Sequence, residues 1–154
     1  MATQLYDQDL YAWTLDQATK LRRLASERAN TDLDLENLAE EIESVGKSDR
    51  RELHSRLARI IEHLLKLGES TLPEPRRGWQ NSVRAERDSL DDLFNQSPSL
   101  RPVAGEELND AHRKAARRLK DQVIELCMDP LPVTCPYDID QILDHDWWPE
   151  PRNR

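Results

Sequence analysis

The chain has 154 residues, 34% of them charged and 37% hydrophobic. Its 22 Lys and Arg against 30 Asp and Glu leave a formal balance of -8, which disfavours nonspecific attraction to phosphate backbones, so nucleic acid is not an expected partner. Charges of both signs are interspersed with enough apolar residues to form a core, which predicts one folded domain and excludes a disordered chain.

The opening MATQLYDQDLYAW has no basic region followed by an apolar one, as a secretory signal would. No apolar run approaches the roughly 20 residues that cross a bilayer, so a cytoplasmic protein without membrane association is expected. The stripe of Leu10, Trp13, Leu21, Leu24 and Ala25 predicts a first helix from about Gln4 to Arg28. Asn30 to Asp34 reads as a polar turn, in which Asp32 or Asp34 caps the next helix. That helix is the most regular feature of the sequence: Leu35, Leu38, Ile42, Val45, Leu53, Leu57, Ile60, Leu64 and Leu67 recur every three or four positions. Gly46, Ser48 and Asp49 either divide it in two or kink it.

Gly68, Pro73, Pro75 and Gly78 form the following turn. Trp79, Val83, Leu90, Leu93 and Phe94 mark a further helix that stops before Pro98. A connection through Pro102 leads to a helix with the stripe Leu108, Ala111, Ala115, Leu119, Val123 and Leu126. Pro130, Pro132 and Pro136 then exclude regular structure, although Asp138 with Gln141 can cap one helical turn through Ile142 and Leu143. The fold class is therefore all-α. A bundle of four to five main helices over residues 1–128 carries an irregular, Trp-containing C-terminal tail, residues 129–154, packed on it as part of one domain.

Several words of the sequence occur together in a known pattern. They are Tyr6 to Trp13, Leu35 to Glu43, His63 to Lys66, Trp79, Pro98-Ser99-Leu100, Cys135-Pro136-Tyr137 and the closing Asp146-Trp147-Trp148-Pro149. In order and over essentially the whole chain they resemble the bacterial domain of unknown function family 29. The resemblance implies a small all-α bacterial protein, and brings with it no activity, cofactor or partner.

Helical projection, at about 100° per residue, places certain polar side chains among the apolar ones. Glu86 falls within the face of Trp79, Val83 and Leu90, and His112 within that of Leu108, Ala115 and Leu119, while His63 and Glu41 lie at the margins of the long helix's face. Helical bundles build carboxylate and imidazole metal sites from facing helices, so Glu41, His63, Glu86 and His112 are the candidate metal ligands, and Glu86, His112 and His63 the candidate catalytic groups of a small metal-dependent bundle enzyme. That is the alternative reading, because the usual Glu-x-x-His repeat is missing and a buried Glu86 is accounted for by an ion pair or hydrogen bond. No cofactor and no stoichiometric metal are expected. Nucleophilic catalysis has no support: no serine lies in a G-x-S-x-G elbow. Cys127 ends an apolar stripe as an inert buried thiol does, and Cys135 lies in a turn where it is expected to be more exposed.

Adjacent Trp147 and Trp148 must bury their area on the bundle, a second copy or a partner, and are the candidate interaction residues. A basic strip of Arg113, Lys114, Arg117, Arg118 and Lys120 stands on an otherwise acidic chain, where it is either a solvated face or a seat for an acidic partner. The function read from the sequence is thus a non-enzymatic interaction or regulatory module for a protein partner or a second copy of itself.

Overall fold

A computed structural model describes residues 2–151; Met1 and residues 152–154 lie outside the described part. Within it the chain forms six helices: α1 Ala2–Gln8, α2 Leu10–Ser26, α3 Leu35–Glu69, α4 Arg76–Gln96, α5 Leu100–Leu119 and α6 Ile139–Leu143. The all-α class and a bundle of four main helices are as the sequence predicts.

The expected first helix is divided at Asp9, whose backbone is extended. The cause is tertiary. The Asp9 carboxylate accepts from the backbone N–H of Ala12 at 2.9 Å, capping α2, and from both the N–H and the hydroxyl of Ser99 at 2.8 Å, just ahead of α5. One side chain thus satisfies donors at the starts of two helices, which a continuous helix through Asp9 would forbid.

The Leu35–Leu67 pattern forms a single helix, capped by Asp34 and 35 residues long, or about 52 Å at the usual rise per residue. Gly46 neither ends nor divides it. A Cβ there would stand 2.5 Å from Thr14 Oγ1, so the missing side chain is what lets α2 cross closely. Thr14 in turn donates to the carbonyl of Tyr11 at 2.7 Å, which fixes its hydroxyl at the crossing.

α3 is the axis of the molecule, and α2, α4 and α5 all pack on it. Its second half contributes Leu53, Leu57, Ile60, Ile61, Leu64 and Leu65 to the main core, where Trp79, Val83, Leu90 and Phe94 of α4 and Ala111, Ala115 and Leu119 of α5 meet them. Its first half is covered by α2, with Leu35 and Ala39 buried, but the apolar stripe is not wholly enclosed: Leu38 and Val45 remain exposed.

α5 departs from expectation at both ends. It begins before Pro102, which occupies the first turn, where its missing N–H has no helical acceptor to lose. It stops at Leu119, and Val123 to Leu126 form turns. Cys127 there has a positive φ of 49° and is exposed, which corrects its reading as a buried thiol. The turn is held because Ser70 donates to the carbonyl of Leu126 at 2.5 Å and Thr71 N–H to that of Cys127 at 3.3 Å. Cys135 is the half-buried cysteine, and burial raises its thiol pKa, a smaller opposing effect coming from Tyr137. α6 has the expected capping box, with Gln141 N–H donating to Asp138 at 2.8 Å and Asp138 N–H to the Gln141 side chain at 3.0 Å.

Candidate functional site

The four polar residues that projection places on apolar faces do not form one group. Glu86 is buried at 7% exposure, but Arg56 and Arg59 of α3 donate to its two oxygens at 2.9 and 3.1 Å. Both lone-pair sets are engaged, so the carboxylate is already neutralised where it crosses from α4 to α3. His112 is 2% exposed and its Nε2 has no hydrogen-bond partner among the described residues; burial holds its pKa below the ordinary histidine value. His63 Nδ1 lies 2.8 Å from the carbonyl of Arg59 one turn earlier, and burial lowers its pKa too. Glu41 is exposed.

Among the described residues, the group that brings three possible ligand atoms together is Asp88, Asp91 and His145. His145 Nε2 stands 2.6 Å from Asp91 and Nδ1 3.8 Å from Asp88. Both ring nitrogens thus face carboxylates, and the group is complete as a clasp between the tail and α4.

The tail lies on its own bundle. Trp147 meets Tyr137 edge-on at 5.3 Å between ring centroids, and the Tyr137 hydroxyl donates to the carbonyl of Leu64 at 3.1 Å. That hydroxyl would be 2.6 Å from a Cβ at position 68, so Gly68 makes the approach possible. Trp148 is partly buried against the guanidinium groups of Arg84 and Arg87.

The largest concentration of chemistry lies elsewhere, between α3 and α5. Arg50 and His54 of α3 face Glu107 of α5, and further along Glu62 faces Arg118, so the two helices run in the same direction, and α4, which joins them in the chain, runs back along α3. A cavity of about 420 Å³ opens on this seam, lined from α3 by Lys47, Arg50, Arg51, His54 and Ser55 and from α5 by Glu107 and Lys114. Ser55 is shared with a second hollow of about 270 Å³ lined by Glu52, Arg56, Arg59, Glu86 and Arg118, whose arginines are paired with Glu52, Glu86 and Glu62. The two adjoin along the cleft, and the excess of cations on this acidic protein lies on the first.

Its electrostatics are uneven. Arg50 donates to Glu107 at 2.8 Å and His54 Nδ1 lies 3.0 Å from the other Glu107 oxygen. Burial acts to raise the Glu107 pKa, but hydrogen bonds from Arg50 and His54 outweigh it and hold the carboxyl below the usual range. Glu107 first, and the Tyr11 hydroxyl second, keep Arg50 charged. The single carboxylate on the cavity wall is therefore fully engaged. Lys47 is shared with Glu43 at 3.5 Å, Arg118 with Glu62 at 3.7 Å, and Arg113 with Asp110. Arg51, Lys114, Arg117 and Lys120 have no ion pair among the described residues. Lys114 and Arg118 of the predicted strip thus line the cleft, Arg113 is turned to Asp110, and the α3 half of the site was not among the sequence candidates.

Fold and surface together define a small α-helical bundle with a cationic cleft on an acidic body. The chain belongs to the family of the domain of unknown function DUF29, whose profile matches residues 5–148. It is similar to an α-helical protein of unknown function from Rhodospirillum rubrum, known from a crystal structure, at 30% identity and a TM-score of 0.75 over 92% of this chain and 90% of that one. No curated protein is significantly similar to it. No helix of the described residues is long and apolar enough to cross a membrane.

Proposed function

We propose that this protein is a non-enzymatic interaction module that receives an acidic segment of a partner protein in the cleft between α3 and α5. The observation that carries this reading is the pair of cations left without carboxylates on the cavity, Arg51 and Lys114, on a chain whose balance is -8. Placing like charges together costs free energy that an acidic ligand recovers on binding, and such complementarity chiefly sets association rate and partner choice. A short acidic segment suits the cleft better than a long polyanion, whose further charges would meet the acidic surface around it.

The bundle supplies rigidity. Arg50, His54 and Glu107 brace the two helices across the cavity mouth, so the cations sit on elements held by the core and not on loops. Little ordering is needed on association. The test is fluorescence anisotropy with a labelled peptide of alternating glutamate and glycine, read against the double variant R51E/K114E. The wild-type chain is expected to bind with an affinity that falls steeply between about 50 mM and about 300 mM NaCl, and the variant to bind at least about tenfold more weakly. Equal binding by the two proteins would refute the cleft as the receiving surface.

A further inference from the structure

The composition of the cavity on the cleft is more specific than an acidic peptide requires. Its wall holds Lys47, Arg50, Arg51 and Lys114 as permanent cations against Glu107 as the one carboxylate. Glu107 is spent on Arg50 and His54 at 2.8 and 3.0 Å, and neither Arg51 nor Lys114 has an ion-pair partner among the described residues. A single carboxylate entering this cavity would leave cationic charge uncompensated. A dianion would not.

We propose that this cavity is a binding site for a phosphoryl group, presented as a phosphorylated side chain or as a small phosphomonoester. The proposal rests on the reading of the cleft as an anion-receiving surface and deepens it. Four features favour a phosphoryl group over a bare carboxylate. The Arg51 guanidinium offers a planar fork, the geometry that matches phosphate oxygens, and Lys114 adds a point charge from α5, whereas Arg50 is already paired with Glu107 and Glu106 and Lys47 with Glu43. His54 is fixed through Nδ1 by Glu107, and its other ring nitrogen, which has no partner among the described residues, can serve the cavity that the residue lines. About 420 Å³ is several times the volume a bare oxyanion fills, so there is room for the body that carries the phosphate. Ser55, on the same wall, adds a hydroxyl able to donate to a phosphate oxygen.

Arg51 and Lys114 are the residues to change, because neither braces the fold. Isothermal titration of the whole chain would compare a glutamate-glycine peptide carrying one central phosphoserine with the same peptide carrying serine, with free phosphoserine and inorganic phosphate as further titrants. The expected result is binding of the phosphopeptide about tenfold or more tighter than the serine peptide, with the difference erased in R51Q/K114Q. Unchanged thermal unfolding of that variant assigns the loss to the site. Tight binding of free phosphoserine with no further gain from the peptide would also support the site and assign its ligand as a small phosphomonoester. Equal binding of the phosphorylated and unphosphorylated peptides, still weakened by salt, would overturn the phosphoryl site while leaving the acidic-partner reading in place. Failure of all four titrants would overturn both.

Discussion

The Arg87 guanidinium lies 4.9 Å from the centroid of the Trp148 ring while its Nε and Nη2 donate to the carbonyls of Ile142 and Gln141 at 2.8 and 3.1 Å. These carbonyls belong to the last turn of α6, where no helical N–H follows to receive them, so a side chain of α4 caps the C-terminus of a helix in the tail. Arg87 is 1% exposed, and burial lowers its pKa to about 10, partly offset by Asp144. It stays charged at neutral pH and holds the tail through charge-assisted bonds. Replacement by Met keeps the volume but leaves both carbonyls without a donor; chemical denaturation should then show a loss of about 1–3 kcal/mol.

Trp148 is the other half of that contact. Trp148→Ala removes a large ring from beneath Arg84 and Arg87 and should lower stability by about 2–4 kcal/mol, since its area is partly and not wholly buried. Light scattering should give the same mass for variant and parent, because the ring packs on its own chain. A fall in mass would instead make the tail an intermolecular contact.

The crossing of α2 over α3 depends on the missing side chain at position 46. Gly46→Ala brings a Cβ to 2.5 Å from Thr14 Oγ1, too close for either group to stay in place, and should cost about 1–3 kcal/mol even though alanine favours the helix. Thr14→Ala in the same chain removes the obstructing hydroxyl. A double-mutant cycle should return a coupling of about 1 kcal/mol or more, and strict additivity would show that the crossing is not limited by this pair.

Two histidines make stability depend on pH in the mildly acidic range. Burial holds the pKa values of His112 and His63 below that of an unfolded histidine. As pH falls through about 6.5 the unfolded chain takes up these protons before the folded one does, so stability drops until pH passes below the folded values and then levels off. His112→Gln should retain more of its stability on going from about pH 7.5 to about pH 5.5 than the parent does, whatever its absolute level. Parallel stability curves would mean that His112 takes up its proton equally in the folded and the unfolded chain, and would contradict the account.

Much of the fold was legible because its causes are local. The long helix follows from spacing and from the Asp34 cap, and the turn of α6 from Asp138 and Gln141 three residues apart. The break at Asp9 was not legible, because its reason is Ser99, ninety positions away. Likewise Glu86 could be placed on an apolar face by projection, while the arginines that neutralise it lie on α3. The cleft shows the same division. A basic run on α5 can be read directly, but Lys47, Arg50, Arg51 and His54 read as the polar side of α3 until it is known that α5 lies alongside. His54 and Glu107, 53 positions apart, carry no sequence signal of their pairing.

The most direct measurement of where ligands bind is a ¹H–¹⁵N correlation spectrum recorded while the acidic peptide is added. Shifts confined to residues 47–55 of α3 and 107–118 of α5, with the indole N–H signals of Trp147 and Trp148 unmoved, are the predicted result. Indole signals that move while the α3–α5 seam stays silent would contradict it and transfer the binding surface to the tail.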